Sequence, residues 1–475
     1  MRLHKQHLLF LAGLLSLACS RHIYPDRSQF LQDGDPVPIV DLSTYKSVQQ
    51  RPGQDPELAA ALAISGGGSR AANFATGIML GLEEILITPE QDALDQVDYL
   101  STVSGGGFAA GAYIAALFDH QAEHPDSAFT LEEHWEAYIK EALLHSYTGV
   151  LLRAKFNPRF WFSFIDDGDA LEKAIDDQVL GYKRRDKDKN HPANRSIVLG
   201  DIFIPKDSTD TPVQLPMHFS NSSVLNTWSI FPYAPDILEE YQITGYTHQL
   251  KTMKPEPFDP YQAPLAVGIK ASGSFPVLIS NSTLHSDFSS ERPYLHLIDG
   301  AMTDNIGYYT ALEILKQDSA ARKVLMIIDA DAGGHRYTFS KRRGAIYGVN
   351  VYAQLPISGM DAQRVRLEKD LQDIGPNFGI TPIFFSYHML IRNNDAKCPE
   401  KCHVKNEMNR LIALMSKDLN APTPTDMQIL YDLVTNIDTK YTMTEEEQAL
   451  LVLAGRKLVH MQKEEVLEAM KGGSE

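Results

Sequence analysis

The chain has 475 residues, of which 43% are hydrophobic and 22% are charged, so it can bury a sizeable core. Its formal net charge of −17 argues against nucleic acid as the main partner, because phosphates would be repelled. The same charge argues against adhesion to anionic lipid through bulk charge, although a local patch could still bind such a surface.

The first predicted element is an export signal over residues 1–19. A short basic segment is followed by the apolar run LLFLAGLLSLA (8–18) and then by Cys19. The run is too short for a comfortable membrane span, and no later run reaches 18 apolar residues. Cys19 resembles the acylated cysteine of a bacterial lipoprotein, whereas Ser16 and Ala18 also suit ordinary signal-peptidase cleavage. We expect a lipid-anchored envelope protein, on the outer membrane or the periplasmic face, with secretion as the alternative.

Residues 20–57 form a polar, proline-bearing lead-in, after which short apolar runs alternate with stretches of helical periodicity. Examples of the runs are LAAALAI (58–64), VDYLSTV (97–103) and VLMIIDAD (324–331). Apolar strands that alternate with helices predict an α/β fold with a mostly parallel central sheet, covered by helices on both faces. In such a fold we expect the ligand site at the carboxyl ends of the strands.

The glycine-rich stretch SGGGSR (65–70) lies at the first junction between a strand and a helix. Consecutive glycines let backbone N–H groups converge on one point, which makes a cradle for an anion or an oxyanion. The spacings of the phosphate loop and of the dinucleotide fingerprint are absent, so an oxyanion hole fits better. Arg70 either holds this loop, meets an anionic substrate, or is a solvated arginine at a helix start.

The second junction, STVSGGG (101–107), places Ser104 between a strand end and a helix start. Gly105 and Gly106 allow a tight turn that exposes the hydroxyl, and the helix N-terminus favours developing negative charge, so Ser104 is a candidate nucleophile. The usual elbow is G-x-S-x-G, and Thr102 stands in place of its first glycine. Judged alone, the stretch is better explained as a glycine turn in which Ser104 is a helix N-cap.

The segment KFNPRFWFSFID (155–166) is dense in aromatic side chains. We favour an aromatic core element over the sheet, and the alternative is an acyl-channel flap that faces the membrane. The residues concerned are Phe156, Phe160, Trp161, Phe162 and Phe164.

The stretch LIDGAMTDNIG (297–307) places Asp299 at the end of an apolar strand, directly before Gly300. We expect its carboxylate to emerge at the same sheet edge as the two glycine-rich stretches, where it can accept a serine proton as a general base. The alternative is an Asx turn at a strand end, which is the usual role of Asp-Gly.

Cys398 and Cys402 in CPEKCH are the only cysteines of the chain besides Cys19. In an oxidising compartment we expect a small local disulfide between them. A metal site that includes His403 is discarded, because no second ligand cluster accompanies it.

The last predicted region is a helical extension over residues 391–475, which we expect to pack on the sheet domain of residues 58–390. Thr444 and Glu447 form a capping box before an apolar helical stripe, as the start of an amphipathic helix requires.

Three strand ends thus carry GGGSR, T-V-S-G-G and D-G-A, in that order. Together they resemble the patatin-like phospholipase family, whose patterns are G-G-G-x-R, G-x-S-x-G and D-G-[GA]. KASGSFPVLIS (270–280) resembles that family's A-S-x-x-x-P segment with Pro276 in place, and DNIG (304–307) resembles its continuation after the Asp-Gly turn. The resemblance covers residues 59–335 and implies a three-layer α/β/α hydrolase, with residues 58–390 as the catalytic domain.

The resemblance also implies a Ser–Asp dyad. Ser104 would attack the acyl carbonyl of a membrane phospholipid or lysophospholipid, Asp299 would accept its proton, and water would release the acyl-enzyme, without metal or cofactor. The implied oxyanion donors are the backbone N–H groups of Gly66, Gly67 and Gly68, with Arg70, Gly106 and Gly300 in support.

Two alternatives stay open. A Ser–His–Asp esterase would use His335 in DAGGHRY, in the chain order Ser, Asp, His. The other alternative is a catalytically inactive, lipid-binding lipoprotein of the envelope. The departure from G-x-S-x-G at Thr102 is the feature that favours it.

Overall fold

The apolar runs of the sequence form the strands of one large sheet. The computed structural model describes residues 54–156, 166–187, 191–203, 215–225, 227–246, 258–276, 278–287, 293–330, 363–373, 375–391, 404–439 and 442–472. Its strands are β1 (Leu58–Ile64), β2 (Leu86–Thr88), β3 (Gln91–Asp92), β4 (Val97–Thr102), β5 (Met217–Val224), β6 (Ile230–Tyr233), β7 (Ile243–Tyr246), β8 (Ser282–Ser286), β9 (Tyr294–Asp299), β10 (Arg322–Asp329) and β11 (Ile380–Ser386).

Five neighbouring strands, in the order β11-β10-β1-β4-β5, run parallel to one another. Every residue of β1 and β4 is buried, and strands covered on both faces require the near-continuous apolar sequence seen there. Beyond β5 the sheet continues with β9, β8 and β7, which pair antiparallel, and β6 also pairs antiparallel with β5. The expected α/β fold with a mostly parallel central sheet is confirmed; the antiparallel continuation was not expected.

Helices cover the sheet. They are α1 (Gly68–Glu83), α2 (Gly105–Glu123), α3 (Leu131–His134), α4 (Lys140–Leu144), α5 (Tyr147–Lys155), α6 (Asp167–Ala174), α7 (Tyr182–Lys187), α8 (Pro235–Glu240), α9 (Leu265–Ser272), α10 (Ala301–Asp304), α11 (Tyr308–Gln317), α12 (363–373), α13 (Val404–Met415), α14 (Pro424–Thr435), α15 (Glu445–Met461) and α16 (Lys463–Lys471). Short π turns occur at Trp135–Ile139 and Ile175–Val179, and 3₁₀ turns at Leu199–Asp201, Pro260–Gln262, Pro376–Phe378 and Tyr387–Leu390. Within the described ranges, no helix is both long and apolar enough to cross a bilayer.

Helix α15 of the C-terminal region packs directly on α1, the helix that follows the first glycine-rich stretch. Gly77 of α1 and Gly455 of α15 stand where a Cβ atom would lie closer than 3.0 Å to the backbone of the other helix, so both positions need glycine. The predicted capping box starts α15: Thr444 Oγ1 accepts the Glu447 N–H at 3.2 Å, and the Glu447 carboxylate accepts the Thr444 N–H at 2.9 Å.

Candidate active site

Ser104 stands on a strained turn between β4 and α2. Its backbone has φ 48° and ψ −117°, a conformation that residues with a side chain rarely adopt. The turn is tight because Gly105 lies against the backbone of Gly68, and Gly106 lies against that of Ile64; a Cβ at either glycine would come closer than 3.0 Å. Ser104 makes no side-chain cap to the helix, so the N-cap explanation does not account for its hydroxyl.

Asp299 reaches this turn on an antiparallel strand. Thr102, the last residue of β4, pairs with Ser220 of β5, and Asp299 pairs with Ser222 two residues further along β5. Strand β5 therefore extends beyond the end of β4, and β9 returns along this extension toward the Ser104 turn. The structure places Asp299 at the expected edge of the sheet, but the strand that carries it arrives from the opposite direction.

The Ser104 hydroxyl lies near the Asp299 carboxyl and lowers its pKa. The Asp299 carboxyl also accepts the Ala301 N–H at 2.9 Å, as in the Asx turn weighed above. Burial raises the pKa of Asp299 from 3.8 to about 6, an effect that the Ala301 N–H and the Ser104 hydroxyl reduce in part. A carboxylate with this pKa is ionised at neutral pH and is still basic enough to take a proton.

The glycine-rich stretch approaches the same point, with Gly67 at φ 141° and Gly68 at φ 60°. Both conformations belong to the region that favours glycine. The implied role of Gly66 needs correction, because its N–H already donates to the carbonyl of Asn305 at 2.8 Å and is not free for an oxyanion. Gly66 is needed for space instead, since a Cβ there would lie 2.5 Å from Asn305 Oδ1. Gly67 and Gly68 remain the candidate donors of the stretch.

Ser272, at the end of α9, was not identified from the sequence as a site residue. Its Oγ accepts the Ser104 N–H at 2.9 Å and donates to the carbonyl of Asn221 at 2.5 Å. Its own carbonyl accepts the Gly300 N–H at 3.2 Å, next to Asp299. One fully buried serine thus contacts both the Ser104 turn and the Asp299 turn. The resemblance of KASGSFPVLIS to a family segment was the only signal of this role in the sequence.

Thr102, the departure from the usual elbow, is hydrogen-bonded to a second buried group that the sequence did not reveal. Its Oγ1 lies 2.8 Å from Nε2 of His218 on β5. Burial lowers the pKa of His218 to about 3, so the imidazole is neutral at physiological pH. Among the described residues, Nδ1 of His218 has no hydrogen-bond partner. The Thr102 hydroxyl therefore has a hydrogen-bond partner, His218, beside the serine turn.

Arg70 is buried, which excludes the reading as a solvated arginine. Its Nη1 donates to the carbonyl of Ile437 at 3.0 Å, just beyond α14. Arg70 therefore connects the glycine-rich stretch to the C-terminal helical region through this hydrogen bond. Gly300, the other supporting residue, is required because a Cβ there would lie closer than 3.0 Å to the carbonyl oxygen of Asn221.

Several predicted features lie outside the described residues. They are the signal segment with Cys19, the aromatic segment beyond Phe156, the alternative base His335, and the pair Cys398 and Cys402. Within the part of the chain that the structure describes, no group of three His, Cys, Asp or Glu side chains is placed to hold a metal ion.

Comparison with known proteins gives one family match. Residues 62–312 match the sequence model described as patatin-like phospholipase. No curated protein matches the chain. Among solved structures, human GIVD cytosolic phospholipase A2 is similar at 13% identity and a TM-score of 0.38, over 88% of this chain and 60% of that chain. Its complex with methyl gamma-linolenyl fluorophosphonate gives 14% identity and a TM-score of 0.38, over 88% and 59%. This chain thus spans about three fifths of the length of the human enzyme.

Proposed function

This chain belongs to the patatin-like phospholipase family, and we propose that it is a lipid acyl hydrolase that cleaves carboxylic esters of phospholipids or lysophospholipids. The observation that carries the proposal is the placement of the Ser104 hydroxyl near the buried Asp299 carboxyl, whose pKa it lowers. A hydroxyl on a strained turn thus lies next to a buried carboxyl of raised pKa, which is the pairing that an activated nucleophile and its base require.

The proposed reaction has two halves. In the first, Asp299 takes the hydroxyl proton while Ser104 Oγ bonds to the acyl carbon, and the resulting tetrahedral intermediate carries the charge on the former carbonyl oxygen. Asp299 then returns the proton to the departing alcohol as the ester bond breaks, which leaves an acyl-serine. In the second half, Asp299 takes a proton from water, the water oxygen attacks the acyl carbon, and the proton returns to Ser104 as the fatty acid leaves.

The oxyanion of both intermediates would be stabilised by the backbone N–H groups of Gly67 and Gly68. Helix α2 adds to this effect, because its N-terminus begins at Gly105, directly after the nucleophile, and carries partial positive charge. The tight contact between Gly105 and Gly68 supports this assignment, since it brings the glycine-rich stretch against the serine turn.

Mass spectrometry of the products from mixed phospholipids tests the function directly. The wild type should release free fatty acid, and Ser104→Ala should not. Asp299→Asn should abolish release while His335→Ala leaves it intact; the reverse pattern would favour the Ser–His–Asp alternative. Lipid binding by the wild type without any Ser104-dependent product would favour the inactive lipid-binding protein.

We also propose that the protein is exported and anchored to the cell envelope through an acyl group on Cys19. The basic start, the short apolar run and the following cysteine support this proposal. Metabolic labelling with a clickable fatty acid tests it: label should appear on the wild type and not on Cys19→Ser. Equal labelling of both, or release of unlabelled protein into the medium, would contradict the anchor.

A further inference from the structure

We propose that a docking surface formed by Leu152, Phe156, Leu225, Trp228 and Leu278 binds the surface of a phospholipid bilayer and presents the active site to it. This inference rests on the proposed function, since a lipid hydrolase must reach its substrate in a membrane. Its test measures binding, so it can fail or succeed independently of catalysis.

The first part of the docking surface is the tip of the hairpin between β5 and β6. Trp228 is 61% exposed there, with φ 56°, and Leu225 is also exposed. The Trp228 N–H donates to the Val224 carbonyl at 2.8 Å, and the hydroxyls of its neighbours Thr227 and Ser229 lie 2.8 Å apart. A hydrogen-bonded tryptophan whose indole is exposed to solvent is similar to the aromatic residues that lie at membrane–water interfaces.

The second part lies where helix α5 ends. Phe156 is 73% exposed, the highest value among the exposed large hydrophobic side chains of the described residues. Leu152, one turn earlier, and Leu278 are each about half exposed. The Lys155 ammonium donates to the Leu278 carbonyl at 2.8 Å, so the end of α5 and the Leu278 segment lie side by side.

A series of short contacts joins the two parts. The Leu225 N–H donates to the His296 carbonyl at 2.9 Å, and His296 Nδ1 lies 3.2 Å from Nδ2 of Asn281, three residues after Leu278. Strand β5 runs past the end of β4, so the hairpin tip projects beyond the sheet edge that carries Ser104. The docking surface and the site therefore face the same side of the molecule.

The charge pattern favours a lipid bilayer as the occupant. The segments 145–156, 215–235 and 265–286 contain no Asp or Glu, although the whole chain contains 61. Arg153 is exposed between the apolar side chains of α5, and Lys155 is exposed beside the buried carboxylate of Asp167 at 3.4 Å. An apolar surface whose exposed charged side chains, Arg153 and Lys155, are cationic complements anionic headgroups over an acyl layer. If a second copy of this chain bound through the same surface, Arg153 and Lys155 of the two copies would face each other and repel.

Vesicle binding tests the proposal. The full chain with Cys19→Ser is incubated with phosphatidylcholine vesicles with and without phosphatidylglycerol, and the bound fraction is measured by flotation. Trp228→Asn, which suits the positive φ, and Phe156→Ser should each weaken binding roughly tenfold, as the loss of one inserted aromatic side chain implies. Arg153→Gln should weaken binding only to the anionic vesicles. Leu86→Ser is the matched control: Leu86 is 59% exposed but lies on β2, after the end of α1 that points away from the site.

A second measurement reports on the surface itself. Single cysteines introduced by Trp228→Cys, Phe156→Cys or Leu86→Cys, with the three native cysteines replaced by serine, carry an environment-sensitive dye. Vesicles should shift the emission at positions 228 and 156 to the blue and leave position 86 unchanged. Ser104→Ala should bind vesicles like its parent, which separates docking from catalysis.

Three results would overturn the proposal. One is unchanged vesicle binding and unchanged dye emission for the Trp228 and Phe156 variants. Another is an equal loss of binding in Leu86→Ser. The third is a dimer in solution that Trp228→Asn converts to a monomer, which would identify the surface as a contact between copies.

Discussion

The backbone N–H of Ser104 donates to Oγ of Ser272 at 2.9 Å, and this bond links two residues that are 168 positions apart in the chain. The same Ser272 hydroxyl donates to the carbonyl of Asn221. Ser272 therefore holds the strained serine turn against strand β5, and through its carbonyl it also holds the turn after Asp299. It is a positioning residue for the proposed dyad, since it does not touch the reacting atoms.

We expect Ser272→Ala to lower kcat roughly tenfold while KM changes little, because an unpaired buried N–H costs about 1–3 kcal/mol and the turn loses its fixed geometry. Ser274→Ala is the matched control, since the Ser274 hydroxyl donates to the Lys270 carbonyl and its loss leaves the Ser104 N–H paired. Steady-state kinetics on a soluble ester measure both. Equal kinetic effects in the two variants would show that Ser272 contributes only to stability.

The pH dependence of activity should report the buried carboxyl. Because Asp299 acts as a base only when ionised and its pKa is raised to about 6, kcat/KM should rise with pH up to about 6 and level off above it. A pH–rate profile on an uncharged, soluble ester measures this limb. A limb near pH 4 would show that the carboxyl is not desolvated in solution. Retention of the limb near pH 6 in an active Asp299→Asn variant would assign it to another group.

Asp299→Asn should stabilise the fold at pH 8 by up to about 3 kcal/mol, at 1.36 kcal/mol for each unit between a pKa of 3.8 and about 6. The folded state binds the proton more tightly than the unfolded state, so the free energy of unfolding falls as pH rises from about 4 to about 6 and stays low above that range. Asp299→Asn has no carboxyl to ionise, so its free energy of unfolding should not fall in this way.

Urea unfolding of wild type and Asp299→Asn at pH 4 and pH 8 measures the effect. The gain should be large at pH 8 and should nearly vanish at pH 4. A gain that is the same at both pH values would contradict the linkage, because it would not depend on ionisation of Asp299.

Thr102→Val should destabilise the fold by about 1–3 kcal/mol, since it leaves a fully buried imidazole without its 2.8 Å partner. Thr102→Val with His218→Leu should cost less than the sum of the single changes, because both polar partners are then removed together. Chemical denaturation of the four proteins of this cycle measures the coupling. Additive effects would show that the two side chains do not interact in solution. Activity of the folded Thr102→Val variant within a few fold of wild type would show that the hydroxyl is not needed for chemistry.

A methyl group added at Gly105 should disrupt the contact between the two glycine-rich stretches, whereas one added at Gly107 should not. Gly105→Ala would place a Cβ closer than 3.0 Å to the backbone of Gly68, whereas at Gly107 the nearest atoms are side-chain atoms at 3.4 Å. We expect Gly105→Ala to lose about a hundredfold or more in activity through displacement of the oxyanion donors, and Gly107→Ala to stay active. Kinetics and melting curves on both proteins check this. A fully active Gly105→Ala would contradict the assignment of the oxyanion site.

Much of the fold could be predicted because β1, β4 and β10 lie in the parallel, buried part of the sheet, where a strand needs continuous apolar sequence. The meeting of Ser104, Asp299 and the glycine-rich stretch could be expected for the same reason, since each follows an apolar run. The direction of β9 could not be predicted, because YLHLID has the same pattern whichever way its neighbour runs.

Three details of the site depend on pairings that a single sequence does not record. Ser272 could equally have bonded within its own helix, and His218 carries no sign of the threonine on the next strand. The engagement of the Gly66 N–H depends on where the carbonyl of Asn305 comes to lie, far along the chain. Such long-range contacts are set by the packing of the whole domain.

Labelling with a fluorophosphonate, followed by mass mapping of the modified peptide, tests the central claim most directly. The account predicts a single adduct on Ser104, none in Ser104→Ala, labelling slowed about a hundredfold or more in Asp299→Asn, and unchanged labelling in His335→Ala. An adduct on another residue, or labelling of Asp299→Asn at the wild-type rate, would contradict it.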